Sequence, residues 1–105
     1  EFADDDVVSA VRWHTTGHAG MTLIEKLLYL ADYIDLSRTF EDCVKLRDFF
    51  FSKKLEKMSL EERILHLDKT LVMSYDMTIS AILAEGRVIS PDTVNARNEL
   101  LERLA

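Results

Sequence analysis

The chain has 105 residues, of which 48% are hydrophobic and 30% are charged, with a formal net charge of −6 and a pI of about 5.0. This length and composition suit one globular domain over residues 1–105. The acidic balance excludes non-specific nucleic-acid binding, which needs clustered cations. No apolar run approaches the roughly 20 residues of a membrane-spanning helix, and the acidic start, Glu1–Asp6, is unlike a signal peptide. The single cysteine, Cys43, cannot form an internal disulfide, so we expect a cytoplasmic protein.

The first half of the chain predicts two helices separated by glycines. A short helix is expected over about Asp4–Arg12, because Asp4–Asp6 supply a cap and acidic first-turn residues. Thr22 and Glu25 form a capping box, and the helix that they start is expected to end around Asp35 to Arg38. Leucines and isoleucines recur along it at helical spacing, which predicts a broad apolar face.

The second half of the chain predicts three further helices. One is expected from Glu41 to Phe51, and the longest from Leu60 to Glu85, where Ser59 and Glu62 form a second capping box. The last helix begins at Ser90-Pro91, since serine is a good cap and proline suits the first helical position. Every long segment is therefore predicted to be helical, and we expect an all-α bundle.

The stretch His14–Gly20 contains the residue types of an anion-binding loop. It holds two hydroxyls, two glycines and the imidazoles of His14 and His18 just before a helix N-terminus, which attracts anions such as phosphate. His14 is a candidate metal ligand, phosphate contact or general acid, or simply a histidine that bonds a carbonyl group. Thr15 and Thr16 either donate to phosphate or satisfy the local turn. His18 is expected to be an exposed loop residue.

Asp32 is the candidate metal ligand at the other end of this helix. It borders the apolar face, where carboxylates are normally paired or metal-bound, and the helix dipole there disfavours an anion unless a cation is close. Arg38 is a candidate to neutralise Asp32 or to bind phosphate; a solvated Asp32 and a weak surface ion pair are the alternatives. We expect Asp32 to face a polar pocket shared with the His14 loop, and His66 to lie on a solvated helix face.

Several blocks of the sequence resemble a known family in both order and spacing. They cover nearly the whole chain apart from a looser middle, and they are Val11–Gly17, Gly20–Thr22, Glu25–Lys26, Tyr29–Ile34, Arg38 and Ile89–Asn98. Together they resemble the second half of the YqeK-type HD-domain proteins, the symmetrical bis(5'-nucleosyl)-tetraphosphatase family. Because several ordered blocks must coincide, this resemblance is far more specific than a single short motif.

The resemblance implies an all-α, HD-superfamily-like helical bundle that cleaves diadenosine tetraphosphate symmetrically into two ADP and uses iron. Matched residue by residue, Asp32 corresponds to the family's last metal-binding aspartate. His14 and Thr15 correspond to its nucleotide-contacting pair, and Arg38 corresponds to its phosphate-contacting arginine. In such chemistry a metal generates hydroxide, while histidine and arginine meet the remaining phosphate oxygens.

The family's other metal ligands lie upstream of the block that matches His14, and this chain contains none of them. We therefore expect the C-terminal portion of a longer HD-type domain, lacking its N-terminal helices and carrying the nucleotide-contacting half. The implied partners are a dinucleoside polyphosphate or ADP, without nucleic acid or membrane, and either a second copy or the missing N-terminal half. The alternatives are a catalytically inactive module that binds nucleotide and a plain helical interaction domain.

A half domain of this kind leaves apolar helix faces uncovered. The residues expected to be partly exposed are Val7, Val8, Val11, Leu23, Leu27 and Leu30. Large apolar surfaces usually find a partner, so we expect self-association or contact with another chain. The alternative is a compact monomer in which Phe49–Phe51 folds over this surface.

Overall fold

The structure is a computed structural model that describes residues 17–35 and 40–104. These residues form four α-helices and one short 3-10 helix. The helices are α1 (Leu23–Ile34), α2 (Glu41–Phe50), α3 (Leu60–Ala84) and α4 (Pro91–Leu104), and the 3-10 helix is Leu55–Lys57. Neither range contains a strand, so the predicted all-α class is confirmed. The short helix predicted over Asp4–Arg12 lies outside the described residues. Within the described residues, no helix is both long enough and apolar enough to span a membrane.

Two capping boxes start α1 and α3, as the sequence predicts. Thr22 Oγ1 accepts the Glu25 backbone N–H at 3.2 Å, and Glu25 Oε1 accepts the Thr22 backbone N–H at 2.8 Å. Ser59 and Glu62 make the same two bonds at 3.2 and 2.9 Å. Each pair satisfies two backbone donors that have no partner inside the helix, and so it fixes the residue at which the helix begins.

The central helix is α3, which packs against α1, α2 and α4. The hydrophobic core lies along it and includes Tyr29, Leu30, Leu46, Leu67, Leu71, Tyr75, Ala96 and Leu100. The Tyr29 ring lies 5.1 Å from the Tyr33 ring and 5.0 Å from the Tyr75 ring, measured between centroids. Cys43, at 8% exposed, also belongs to the buried residues.

One side of α1 is left uncovered. It carries four large apolar side chains that are exposed: Leu23 at 45%, Ile24 at 46%, Leu27 at 47% and Leu28 at 38%. The expected exposure is thus confirmed for Leu23 and Leu27. It is wrong for Leu30, which is 2% exposed because it lies beside Tyr29 on the side of α1 that packs into the core. Val7, Val8 and Val11 lie outside the described residues.

The uncovered side of α1 is expected to make the 105-residue chain self-associate. Leu23 and Leu27 also line an apolar groove of about 530 Å³ with Phe50, Leu60 and Ile64. Since a contiguous apolar surface of more than a few hundred Å² usually finds a partner, Leu27→Glu should shift the chain toward monomer. Sedimentation at several concentrations measures the shift.

The matched control is Val88→Glu, because Val88 is 94% exposed and lies outside this groove. Val88→Glu should leave the association unchanged. A wild-type chain that remains monomeric at every concentration, and that binds no hydrophobic dye, would contradict this prediction.

Candidate functional site

The loop before α1 is fixed by contacts from both α3 and α4. Gly17 has a φ of +67°, and a Cβ added there would collide with the Tyr75 hydroxyl. Gly20 has a φ of +77°, and its N–H donates to Glu99 Oε1 at 2.8 Å. Both positions require the left-handed backbone that glycine adopts without strain. Gly17 of the predicted anion-binding loop therefore also serves close packing against Tyr75.

His18 is held within this loop and is not the exposed residue that the sequence predicted. Its Nε2 lies 2.6 Å from Glu25 Oε2, and its Nδ1 lies 2.7 Å from the Ala19 carbonyl oxygen. The His18 side chain is 23% exposed, whereas that of Glu25 is 3% exposed. Because both facing oxygens are acceptors, the ring makes both bonds only when both of its nitrogens carry hydrogen.

A buried ion pair lies one residue further along α1. Lys26 Nζ is 2.7 Å from Asp68 Oδ1 of α3, and both side chains are 6% exposed. Removing one member of such a pair leaves the other charge buried without compensation, which is strongly destabilising. The sequence analysis missed this pair, and the one signal for it was a lysine on the side of α1 opposite the exposed leucines.

Asp32 lies in the last turn of α1 and is exposed, contrary to the expected polar pocket. Leu28 precedes it by one turn, so Asp32 continues the uncovered side of α1. The cation expected at this helix end is present as Arg47 of α2, which donates to the Ile34 and Asp35 carbonyl oxygens at 3.1 and 2.9 Å. Sequence reasoning did not single out Arg47.

The three predicted nucleotide contacts, His14, Thr15 and Arg38, lie outside the described residues.

The described residues do not form a metal site by themselves. Within residues 17–35 and 40–104, no three His, Cys, Asp or Glu side chains come together in a way that would hold a metal ion. Asp32 would supply one carboxylate, and a single carboxylate binds iron or zinc weakly in water. The donor set on these residues therefore does not fit a complete iron centre.

His66 is a core residue, and its predicted solvated position is wrong. It is 4% exposed, its Nε2 bonds the Phe50 carbonyl oxygen at 2.8 Å, and its ring stacks on Phe50 with centroids 5.6 Å apart. The Phe49 ring lies 5.1 Å away. The apolar bulk at the end of α2 thus packs on His66, which excludes this histidine from solvent and from the candidate site.

A cavity of about 210 Å³ lies beside the C-terminal end of α1, between α2 and α3. Ser74 lines it, and the hydroxyls of Ser74 and neighbouring Tyr29 are buried with no partner at hydrogen-bond geometry. Burial raises the pKa of the Tyr29 hydroxyl far above its ordinary value of 10.0, a rise that Ser74 partly offsets, so this phenol stays protonated. An unmade hydrogen bond of a buried group costs about 1–3 kcal/mol. The Ser74 hydroxyl marks this cavity as a place where a bound molecule is favoured.

The described helices have the arrangement of a helical HD-superfamily protein. A solved structure from Clostridium acetobutylicum, described as a predicted HD superfamily hydrolase involved in NAD metabolism, superposes with a TM-score of 0.76 at 36% sequence identity. The match covers 96% of this chain and 47% of that protein. The HD-superfamily-like bundle expected from the sequence is thereby confirmed.

Two curated relatives that share one name match the chain over most of its length. The chain is 35% identical over 98 residues to the symmetrical bis(5'-nucleosyl)-tetraphosphatase of Halalkalibacterium halodurans, and 33% identical over 98 residues to that of Bacillus subtilis. Each match covers 93% of this chain but 46% of the relative, so the chain spans about half the length of these proteins. No protein-family model matches the chain. The predicted resemblance to the symmetrical bis(5'-nucleosyl)-tetraphosphatases is confirmed.

Proposed function

We propose that a protein containing this chain hydrolyses dinucleoside tetraphosphates, with diadenosine tetraphosphate giving two ADP, and that this chain carries the nucleotide-contacting half. The observation that carries the proposal is the similarity to two enzymes of that name over 93% of the chain at 35% and 33% identity. The matching helical fold at a TM-score of 0.76 supports it independently.

The proposed roles follow the family resemblance residue by residue. His14 and Thr15 contact the nucleotide, Arg38 binds a phosphate, and Asp32 contributes one ligand to an iron ion or another divalent metal. The structure supports the role of Asp32 through its position, because Asp32 continues the side of α1 that carries the exposed Leu28. Whatever covers these apolar side chains also reaches Asp32. The remaining metal ligands then come from that covering segment.

The isolated chain is therefore expected to hold little metal and to hydrolyse diadenosine tetraphosphate no faster than buffer does. For comparison, the chain is joined to the part of the Bacillus subtilis relative that it does not match; we call this the joined protein. The joined protein should convert diadenosine tetraphosphate to ADP as the single nucleotide product. Chromatography of the products and metal analysis of both proteins provide the measurement.

Robust hydrolysis by the isolated chain that survives a change of purification scheme would contradict the proposal that the remaining metal ligands come from another segment. A joined protein that has a native circular dichroism spectrum and binds ADP, yet shows no hydrolysis, would favour an inactive nucleotide-binding module instead. That second function is the one favoured by the lack of a metal-binding cluster among the described residues.

A further inference from the structure

The cavity beside Tyr33 has the size and chemistry of a nucleobase pocket, and we propose that it holds one base of the dinucleotide. This inference rests on the proposed function and adds a binding site to it. At about 210 Å³ the cavity is smaller than the roughly 300–1,000 Å³ of pockets for whole drug-sized ligands. It therefore suits one end of a larger molecule.

This cavity, which we call the base cavity, has mainly apolar walls. Tyr33 lines it from α1, Leu46 from α2, and Met77, Ala81 and Ile82 from α3. An aromatic ring and a methionine sulfur both make favourable contacts with a flat π system, and the aliphatic side chains pack against its faces. A planar heterocycle matches these walls better than a charged or strongly hydrated group does.

Ser74 supplies the base cavity with an unused hydrogen-bonding group. Its hydroxyl is buried and interacts with the Tyr29 hydroxyl without reaching hydrogen-bond geometry, whereas the hydroxyl of Thr70, one helical turn earlier, donates to the His66 carbonyl oxygen at 2.8 Å. A serine hydroxyl is both donor and acceptor, so it can bond either kind of atom on the edge of a base. The unmade bond of Ser74 is thus the feature of this cavity that points to a ligand.

The base cavity is lined by two charged side chains of opposite sign, Arg87 and Asp42. Arg87 lines the cavity with a guanidinium whose side chain is 64% exposed, and it bonds Glu85 at 3.0 Å. Tyr33, which lines the cavity, directly follows the candidate metal ligand Asp32 in α1.

Adenosine is the probe for this proposal, because it contains the base without any phosphate. Titration of the 105-residue chain, followed by NMR of backbone amides, should shift Leu46, Ser74 and Met77, with a Kd on the order of 0.1 mM. Ala81→Trp fills the cavity and should abolish binding. Ala84→Trp, three residues further along the same exposed end of α3 and outside the cavity, should leave binding unchanged.

Ser74→Ala separates a ligand contact from a structural role. Since the Ser74 hydroxyl makes no bond of hydrogen-bond geometry in the protein, its loss should leave the thermal unfolding midpoint unchanged or raised while weakening adenosine binding up to about tenfold. A lowered midpoint with unchanged adenosine affinity would overturn the proposal. So would shifts that map outside the cavity, or adenosine binding that survives Ala81→Trp.

ADP separates failure of this inference from failure of the proposed function. If the chain binds ADP but not adenosine, the base cavity is disproved while nucleotide binding through phosphate contacts stands. If it binds neither, both are disproved for this chain, and the cavity holds only water.

Discussion

Replacement of Asp68 by asparagine is expected to lower the free energy of unfolding by about 3–5 kcal/mol, the usual cost of breaking a buried ion pair. Lys26 would then lie among buried residues of α1 and α3 without the carboxylate that is now 2.7 Å from its Nζ. Chemical denaturation followed by circular dichroism measures this loss. A loss of this size is a large part of the 5–15 kcal/mol that stabilises a typical domain.

The control for Asp68 is the ion pair between Asp76 and Arg97. Asp76 lies on α3, as Asp68 does, and its pair with Arg97 of α4 is comparably short, at 2.6 Å, but the side chains of Asp76 and Arg97 are 50% and 34% exposed. Because solvent screens such pairs, Asp76→Asn should cost less than about 1 kcal/mol. Replacing both Lys26 and Asp68 by apolar residues of similar volume should restore much of the stability. Equal losses from the two single aspartate variants would contradict the argument from burial.

Asp32→Asn in the joined protein is expected to reduce hydrolysis of diadenosine tetraphosphate by about 100-fold or more and to lower the iron content. An amide is a weaker metal ligand than a carboxylate and leaves the ion with one negative charge less, and even supporting residues of metal sites cost about 10–100-fold. The fold should survive, because Asp32 is exposed at the end of α1. Turnover and bound metal are measured on the same preparation.

Asp48→Asn on α2 is the control for Asp32, since Asp48 is also an exposed helix carboxylate but matches no family position. It should leave both activity and iron content unchanged. His66→Ala does not serve as this control, because His66 packs between α2 and α3 and its loss would perturb the core. Wild-type activity and iron content in Asp32→Asn would refute the metal role.

The helices were predictable because their signals are local. A capping box needs two residues three positions apart, and the sequence places both boxes correctly at Thr22 and Ser59. The predicted start of the last helix at Ser90-Pro91 also agrees with α4, which begins at Pro91. Such signals are satisfied within one turn of backbone, so the rest of the fold does not change them.

The tertiary contacts were not predictable in the same way. Lys26 and Asp68 are 42 residues apart, and nothing near either residue indicates its partner. His66 was placed on a solvated face from the charges at helical spacing around it, although Phe49 and Phe50 of another helix cover it. Asp32 was expected to face a pocket, but a residue's position on one helix does not reveal what covers that helix. These errors share one cause, which is that burial is decided by helix packing.

Glu25 uses both oxygens of one buried carboxylate to join two parts of the chain. Oε1 accepts the Thr22 N–H of the first turn of α1, and Oε2 contacts the His18 ring of the preceding loop. Loss of either bond weakens the hold on a carboxylate that is 3% exposed, so the loop and the first turn open together as one cooperative unit. We therefore expect the amides of the loop and of the first turn of α1 to show the same opening free energy in hydrogen exchange.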